Sequence, residues 1–592
     1  MIGPRLRRVA AFAATLAAAG TILVACGDDE ESSIDYLIDA RVSDYNVNTR
    51  DGYAEGALMA LTRVLPGFSL IGPDGQIVAD RDVGTATLTE TSPMTVRYDF
   101  NPDAVYSDGK PMVCDDLVLA ATALGGRVRG FDAATNAGYR DIDKVDCTPG
   151  AKTATVTFDK DSEFREWRGL FGAGTLLPAH VVGRIAGVPD VVGTLNGKNS
   201  AAIAKIAKAW NTGFAIAPGD EIDPETFVAS GPYRVEGYST DRGLRLVAND
   251  KWWGQKPVLG DVTVWPLGTD GKTAVDDGVV DVADTADLSL ADTVAGRDPQ
   301  GQEGDTQDGA TQGGDAQEGD ARDGEGAETD RSAARDIAPL AVTNLVFADT
   351  GVTADLKVRQ ALATCMPRDR LAREHGSNGI VWSLHSASPA DTLGPSLNVQ
   401  FGRRYPRSNV ARARTLLEQR VADENGRRAK PVIRIGYPAG SATSAAVVKT
   451  IADACVGAGI TVKDASSPDL SVAGLGKKVD ALLMSGDTFA AAGTSSGIPA
   501  LYTLYPGDPL NLSGYRNAEV GKAVTGLSET ASDSARLPLL RTIDTQAWDQ
   551  LPTIPLYGSV RGRDASAAVQ RMVPGMGRSG TGWNMDRWGM TR

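Results

Sequence analysis

Histidine is scarce in this sequence, with three copies among 592 residues, and no arrangement typical of a catalytic centre is present. His180, His375 and His385 do not form the H-x-x-x-H spacing of a zinc-peptidase helix. A G-x-S-x-G pattern at 493–497 matches the nucleophile turn of the α/β-hydrolases. That fold needs a histidine after the serine, whereas the last histidine here is at 385. We therefore predict a protein that is not an enzyme and that holds neither a metal nor a cofactor.

Positive charge is also in short supply, because 60 lysines and arginines face 75 aspartates and glutamates, a formal net charge of −15. Without a basic excess the chain cannot displace the counterions of a nucleic acid, so nucleic acid is excluded as a partner. Residues 301–330 hold ten acids, one base (Arg322) and no aromatic or large aliphatic residue. We expect a disordered acidic insert there. Calcium binding is the alternative, although EF-hand spacing is absent.

Long apolar runs are absent except at the amino terminus. Three arginines precede an uncharged stretch at 9–25, as in an export signal, and the stretch is somewhat short for a membrane helix of about 20 residues. Residues 23–26 (L-V-A-C) resemble a bacterial lipobox, whose cysteine receives diacylglycerol. The sequence thus predicts a signal peptide at 1–25, a lipidated Cys26 on a tether at 26–33, and a protein held at the outer face of the cytoplasmic membrane. A plain secretion signal is the alternative.

Periodicity in the remaining chain favours a mixed α/β fold. Apolar and polar residues alternate at 87–100 and 153–158, as in half-buried strands. Strands at 432–437 and 481–484 alternate with helical patterns such as 445–458, as in βαβ units. We therefore predict α/β architecture with mixed sheets.

Several short segments, in the same order along the chain, resemble the signature of the family 5 solute-binding proteins, the oligopeptide, dipeptide and nickel receptors of ABC importers. They are 106–111 (Y-S-D-G-K-P), 230–234 (S-G-P-Y-R), 249–253 (N-D-K-W-W), 358–362 (V-R-Q-A-L), 458–462 (A-G-I-T-V) and 555–557 (P-L-Y). Within that family the chain is most similar to an actinobacterial branch, the LpqW-like lipoproteins.

The resemblance implies a two-lobed periplasmic-binding-protein fold of type 2, in the large cluster with an extra subdomain, whose α/β lobes close about a hinge. Lobe I is expected at 34–265 and lobe II at 266–295 and 337–550. An acidic insert at 296–336 would hang from lobe II, and residues 551–592 would return to lobe I as a carboxyl-terminal tail.

The resemblance also implies a function: a monomeric receptor that delivers a peptide-like or other polar organic ligand to the permease and ATPase subunits of an ABC importer. The alternative is an LpqW-like regulator of lipoglycan and cell-wall biosynthesis that does not transport.

One segment departs from the pattern of the peptide receptors. Their strand equivalent to 479–484 leads into a G-W-x-x-D segment whose aspartate pairs with the amino group of the peptide. Here Ser485 and Gly486 occupy the first two positions, and Phe489 stands where the aspartate would be. The nearest carboxylate is Asp487. A buried ammonium without a carboxylate partner is poorly stabilised, which counts against a peptide with a free α-amino group.

The candidate ligand-binding residues are therefore spread over three segments. Ser485 and Asp487 follow the strand just described, and Trp382 lies in a loop after Gly379. Tyr45 and Asn46 belong to the first loop of lobe I, where phenol and amide groups often orient a ligand.

The four cysteines after Cys26 form an even set, which in an exported chain indicates disulfides. Three pairings are possible. We favour Cys114 with Cys147 and Cys365 with Cys455, because each pair stays within one predicted lobe. A zinc site is the alternative, although no C-x-x-C motif exists.

Overall fold

The computed structural model describes residues 33–197, 199–296, 341–420, 429–484 and 498–591. The signal peptide, Cys26, the acidic stretch 301–330, Ser485 and Asp487 lie outside the described residues. Within the described ranges, no helix combines the length and the apolar character needed to cross a membrane.

Strands alternate with helices throughout the described ranges. In chain order the strands are β1 (Ile34–Ile38), β2 (Ser69–Ile71), β3 (Ile77–Ala79), β4 (Gly84–Thr91), β5 (Met94–Phe100), β6 (Ile142–Asp146), β7 (Thr153–Phe158), β8 (Tyr233–Ser239), β9 (Gly243–Ala248), β10 (Asp261–Trp265), β11 (Val282–Thr285), β12 (Val342–Phe347), β13 (Gly376–Val381), β14 (Val432–Gly436), β15 (Thr461–Asp464), β16 (Ala481–Met484), β17 (Thr553–Ser559), β18 (Gly562–Ala565), β19 (Val569–Gln570) and β20 (Gly589–Met590).

The α-helices are mostly short, and the longest, at Asp533–Gln550, is the last helix of the second lobe. In chain order they are α1 (Arg50–Glu55), α2 (Leu58–Leu61), α3 (Cys114–Gly125), α4 (Ala179–Ala186), α5 (Val191–Asn196), α6 (Ser200–Thr212), α7 (Gly271–Asp276), α8 (Leu288–Ala295), α9 (Leu356–Cys365), α10 (Arg368–His375), α11 (Gly394–Phe401), α12 (Val410–Glu418), α13 (Ala442–Cys455), α14 (Ile498–Leu501), α15 (Ala518–Glu529) and α16 (Asp533–Gln550).

The sheet of the first lobe has the strand order β18-β11-β1-β10-β9-β8. Its centre is parallel, with Tyr36 of β1 opposite both Val264 of β10 and Val282 of β11. The strands β18, β9 and β8 are antiparallel to their neighbours. Because β1 has covered faces on both sides, it is almost entirely buried, as parallel central strands are.

The first lobe reaches further along the chain than the sequence predicted. β11 pairs with β1, and α8 packs on β11 and β18, so residues 266–295 belong to the first lobe and not to the second. The physical reason is that a four-residue buried strand carries no local mark of the sheet that it joins. The first lobe therefore extends at least to the end of α8 at Ala295, and the next described strand of the second lobe is β12, which begins at Val342.

The sheet of the second lobe has the order β13-β17-β12-β16-β14-β15. β17 lies inside this sheet, antiparallel to β12 and β13, so residues 553–559 complete the second lobe instead of returning to the first. The chain then crosses back through two residues, Val560 and Arg561, directly into β18. The predicted return at 551 is thus too early, because the end of helix α16 is followed by one more strand.

A third sheet, β4-β5-β7-β6, forms an extra layer on the first lobe together with α3. The disulfide Cys114–Cys147 joins the first residue of α3 to the residue that follows β6. In the second lobe the disulfide Cys365–Cys455 joins the last residues of α9 and α13. Both predicted pairings are confirmed.

The carboxyl-terminal tail packs on the first lobe. Buried Arg63 forms ion pairs with Asp80 at 3.0 Å and with Asp586 of the tail at 3.1 Å. The ring of Trp588 lies edge-on to Tyr36 with centroids 5.2 Å apart. Breaking either ion pair would leave a buried charge without its partner, which is strongly destabilising. The tail is therefore an integral part of this lobe.

Candidate ligand-binding cleft

The carboxyl ends of parallel strands in both sheets meet a single cavity between the lobes. In the first lobe β1 ends at Ile38 and β11 at Thr285, and their parallel pairing brings the following residues to the same edge. In the second lobe β14 ends at Gly436 and β16 at Met484, again in parallel. Open α/β sheets bind ligands at this edge. The cavity, which we call the cleft, has a volume of about 220 Å³.

The two sides of the cleft differ in chemistry. The charged side chains that line the cleft all come from the first lobe, and these are Asp39, Arg41, Asp51, Glu55, Asp287 and Arg561. The second lobe supplies hydroxyl groups and apolar surface, from Thr343, Ser441, Thr443, Ser444, Tyr557, Pro438, Leu470, Val472, Leu482, Leu483 and Met484. Four carboxylates thus face two guanidinium groups, an excess of negative charge among the described lining residues.

Arg561 is held by the ends of the first-lobe strands. Its Nη2 donates to Asp39 Oδ1 at 2.6 Å, and its Nε donates to Asp284 Oδ1 at 2.7 Å. Burial alone would raise the pKa of Asp284, but Arg561 and Arg563 outweigh it and leave the pKa below its ordinary value. Asp284 also accepts hydrogen bonds from Thr581 N and Oγ1, at 2.8 Å and 3.0 Å. Arg561 therefore ties the returning chain to β11 and is already occupied.

Glu55 stands at the end of α1, on the charged side of the cleft. Burial raises its pKa, an effect that a short hydrogen bond from Ser43 Oγ and the charge of Arg41 oppose. Arg41 lines the cleft as well, and no carboxylate of the described chain lies within ion-pair distance of its guanidinium. Arg41 is the first-lobe cation that remains available to a ligand.

Asp44 lies behind this group of acids and caps the loop before α1. Its carboxylate accepts hydrogen bonds from Asn46 N at 2.8 Å and from Thr49 Oγ1 at 2.9 Å. Burial raises the pKa of Asp44 to about 7; these hydrogen bonds oppose the rise, while Glu55 and Asp51 add to it. The crowding of carboxyl groups makes this side of the cleft favourable for a ligand that brings a positive charge.

A direct contact bridges the lobes beside the cleft. Asp51, in the first turn of α1, accepts hydrogen bonds from Ser471 Oγ at 2.8 and 2.9 Å and from Val472 N at 3.1 Å. These donors belong to the second lobe and lie 420 and 421 residues further along the chain. We call this contact the Asp51 bridge. It links the two lobes directly.

A second contact joins the lobes through the extra layer. Asn136 N donates to Asp508 Oδ2 at 3.0 Å, and the guanidinium of Arg140 lies 4.5 Å from the ring centroid of Tyr505. Arg165 Nη1 donates to the carbonyl of Thr530 at 2.6 Å. The lobes are therefore in contact at two separate places, with the cleft beside the first.

The structure places three of the predicted ligand residues away from the cleft. Tyr45 is buried and donates from its hydroxyl to the carbonyl of Val228 at 2.9 Å. Asn46 is fully buried and donates from Nδ2 to the carbonyl of Trp210 at 2.8 Å. Trp382 is also buried, with its indole N–H on the carbonyl of Ala387 at 2.8 Å. These side chains have partners within their own lobes. None of the three is among the residues that line the cleft.

The other two predicted residues, Ser485 and Asp487, lie outside the described residues, although Met484 immediately before them lines the cleft. The sequence reasoning missed Arg41, Asp51 and Glu55. A usable signal existed: these residues follow β1, and residues that follow a parallel strand gather at the binding edge.

Comparison with solved structures identifies the class of fold. The structure superposes on an oligopeptide-binding protein of Bacillus subtilis in complex with a nonapeptide, with a TM-score of 0.67, 12% sequence identity and coverage of 95% of this chain and 99% of that one. An oligopeptide-binding protein of Thermus thermophilus complexed with a pentapeptide superposes with a TM-score of 0.66 and 15% sequence identity. That match covers 95% of this chain and 96% of the other. At these identities the likeness establishes the fold: the two-lobed α/β fold of extracellular binding proteins, as expected.

Comparison of sequences identifies the family. Residues 86–489 match the family of bacterial extracellular solute-binding proteins, family 5. An uncharacterized lipoprotein of Mycobacterium tuberculosis is 37% identical over the whole of both chains. The chain therefore belongs to the family 5 solute-binding proteins.

Two further mycobacterial relatives match over part of the chain. The oligopeptide-binding protein OppA of Mycobacterium tuberculosis is 31% identical over 37% of this chain and 32% of its own length. The probable monoacyl phosphatidylinositol tetramannoside-binding protein LpqW of the same species is 27% identical over 52% of this chain and 39% of its own length. The family resemblance seen in the sequence is confirmed.

Proposed function

We propose that this chain is a lipid-anchored receptor on the outer face of the cytoplasmic membrane, which binds a peptide-like or other polar organic ligand in the cleft for an ABC importer. The observation that carries the proposal is the unequal lining of the cleft. Carboxylates from the first lobe crowd one side. The amino end of α13, with Ser441, Thr443 and Ser444, lies on the other.

Each side suits one end of a zwitterion. The carboxylates attract an ammonium or another cationic group. Helix α13 has 14 residues, and its amino end carries a partial positive charge that attracts a carboxylate. A ligand with both groups, held between them, would join the lobes and so favour the closed arrangement that a permease recognises.

Calorimetry with the purified full chain tests the receptor hypothesis. Zwitterionic peptides should bind most tightly. A peptide amide, which lacks the carboxylate, should bind less tightly, and an N-acetylated peptide, which lacks the ammonium, should bind most weakly. A ligand present at 100 times its Kd should stabilise the protein by about 2.7 kcal/mol. Failure of all three classes to bind or to stabilise the chain would refute the proposal.

Anchoring is tested separately. Cys26→Ala should release the protein into the medium, because the lipidated cysteine would then be absent and the relatives that support anchoring are named lipoproteins. Retention of the variant in the membrane fraction would contradict lipid attachment at this residue.

A glycolipid ligand is the second candidate, and one observation favours it. Leu470, Leu482, Leu483 and Met484 give the second-lobe side of the cleft an apolar wall that fits an acyl chain. The relative LpqW is named for binding a monoacylated glycolipid. Native mass spectrometry of the protein purified from its membrane separates the two, since a co-purified glycolipid would favour an envelope regulator over a peptide importer.

A further inference from the structure

A second cavity lies entirely within the first lobe, apart from the cleft. It has a volume of about 160 Å³ and lies between α1, α2, the β2–β3 hairpin and the carboxyl-terminal tail. We call it the lobe I cavity. The proposal below concerns this cavity alone and does not depend on what occupies the cleft.

Arg578 of the tail is a positively charged residue that lines the lobe I cavity. Its guanidinium carbon lies 3.3 Å from the ring centroid of Tyr53, and its Nη2 donates to the carbonyl of Tyr53 at 3.1 Å. Its Nε is buried and has no hydrogen-bond partner in the described part of the chain. Within those same ranges, no carboxylate forms an ion pair with Arg578, and burial lowers the pKa of Arg578 below its ordinary value.

Arg578 is half-buried, and its buried Nε lacks a hydrogen-bond acceptor within the described ranges. Removing a charge from water, even in part, is unfavourable unless an ion of opposite sign compensates, and contact with an aromatic ring offsets only part of that cost. The neighbouring residue adds a second unused group, because Ser579 is 1% exposed and its Oγ has no hydrogen-bond partner in the described chain. A guanidinium and a hydroxyl, adjacent in sequence and both lining one cavity, form a pair of donors for an anion.

The remaining walls define the rest of the occupant. Most are apolar, from Leu58, Leu70, Ile71, Ile77, Phe164 and Leu170. A small, strongly hydrated anion such as phosphate would leave these walls without a partner. Glu166 also lines the cavity, and its charge opposes a second negative charge on the ligand. The occupant that fits all the walls has one anionic group and an apolar body.

We propose that the lobe I cavity binds a small monocarboxylate with an apolar body, its carboxylate held by Arg578 and Ser579. A cavity of about 160 Å³ is similar in size to an apolar cavity of about 150 Å³ that binds benzene, which suits a carboxylic acid with a short branched chain. Two sources share this chemistry, a simple carboxylic acid and an apolar amino acid.

Titration calorimetry of the full chain with 4-methylpentanoate, with leucine and with inorganic phosphate tests the site. Either organic acid should bind with one-to-one stoichiometry, and the tighter binder of the two identifies which source the cavity selects. Arg578→Gln should weaken binding about 10- to 100-fold, the range that a hydrogen bond to a charged group supplies. Ser579→Ala should weaken it about 3- to 10-fold, the range of a single neutral hydrogen bond.

The matched control is Arg571→Gln, which removes a positive charge from an exposed position of the same tail and should leave binding unchanged. Asp51→Ala changes the cleft and should also leave it unchanged, which separates this site from the proposed receptor function. If Arg578→Gln does not fold, Ser579→Ala still decides. Absence of binding by both organic acids, tighter binding of phosphate, or unchanged affinity in Ser579→Ala would each overturn the proposal.

Discussion

Replacing Asp51 by alanine should open the two lobes and weaken ligand binding. The Asp51 bridge spans the lobes with hydrogen bonds from Ser471 Oγ and Val472 N, all within 3.1 Å of the carboxylate. No other residue of α1 donates to or accepts from the second lobe in the described chain. The substitution therefore removes a direct contact between the lobes, one that any separation of the lobes would also break.

The magnitude follows from the burial of the bridge. Hydrogen bonds to a charged group contribute about 1.5–3 kcal/mol when buried, whereas exposed ion pairs contribute about 0.2–1 kcal/mol. Asp51 and Ser471 are partly buried, so an intermediate value applies. We expect Asp51→Ala to disfavour the closed state by about 1.4 kcal/mol, which shifts the ratio of closed to open molecules about tenfold.

Small-angle X-ray scattering of the ligand-free protein measures the change directly, because an open molecule has a larger radius of gyration. The apparent Kd for a ligand of the cleft should rise by the same factor as the closed fraction falls. The matched control is Asp250→Ala, which removes the same charge from a side chain that is 76% exposed. Ser471→Ala should reproduce part of the effect, and adding Asp51→Ala to it should add less than the single change does.

The reasoning would be refuted if Asp51→Ala and the unchanged protein had the same radius of gyration and the same ligand affinity. It would also fail if Asp250→Ala opened the molecule equally, because net charge and not the Asp51 bridge would then hold the lobes together.

Three further predictions concern stability. Asp284→Asn breaks a fully buried ion pair and should lower the free energy of unfolding by about 3–5 kcal/mol in urea titrations. The control Asp276→Asn breaks an exposed ion pair and should lower it by less than about 1 kcal/mol. Equal losses in the two variants would contradict the burial argument. The Cys365–Cys455 disulfide links residues 90 positions apart, and removing it should lower the free energy of unfolding by about 4 kcal/mol. Unchanged stability on reduction would argue against the bond. Burial raises the pKa of Asp508 to about 6, so its folded form takes up a proton more readily than its unfolded form. Its contribution to stability is complete below about pH 4 and is lost as pH rises through 6. The mutation Asp508→Asn should flatten the dependence of the melting temperature on pH between about pH 4 and 6, and an unaltered slope would exclude this carboxyl group as the cause.

Much of the fold was accessible from the sequence because its signals are local. Alternation at 153–158 predicted β7, and the helical pattern at 445–458 overlaps helix α13. The limits of the lobes had no such signal, and for the lining of the cleft only the position of Arg41, Asp51 and Glu55 after β1 gave one. β11 is four residues long and buried, and its pairing with β1 was settled by contacts with a strand some 240 residues earlier in the chain.

The candidate ligand residues illustrate the same division. Tyr45 and Asn46 were chosen for their chemistry, yet their side chains turn inward because carbonyl groups of Val228 and Trp210 accept their hydrogen bonds. Both acceptors come from segments more than 150 residues away. The sequence therefore shows which polar side chain a loop carries, but not whether that side chain points into the cleft or into the core.

The sequence by itself determined the export signal pattern, the family and the order of the strands and helices, since these follow from short motifs and from periodicity. Only the tertiary structure decided which sheet receives β11 and β17, which acids face the cleft, and that Asp51 meets Ser471. Those outcomes depend on pairing between distant segments, where burial and hydrogen bonding over the whole molecule, and not local propensity, select the partner.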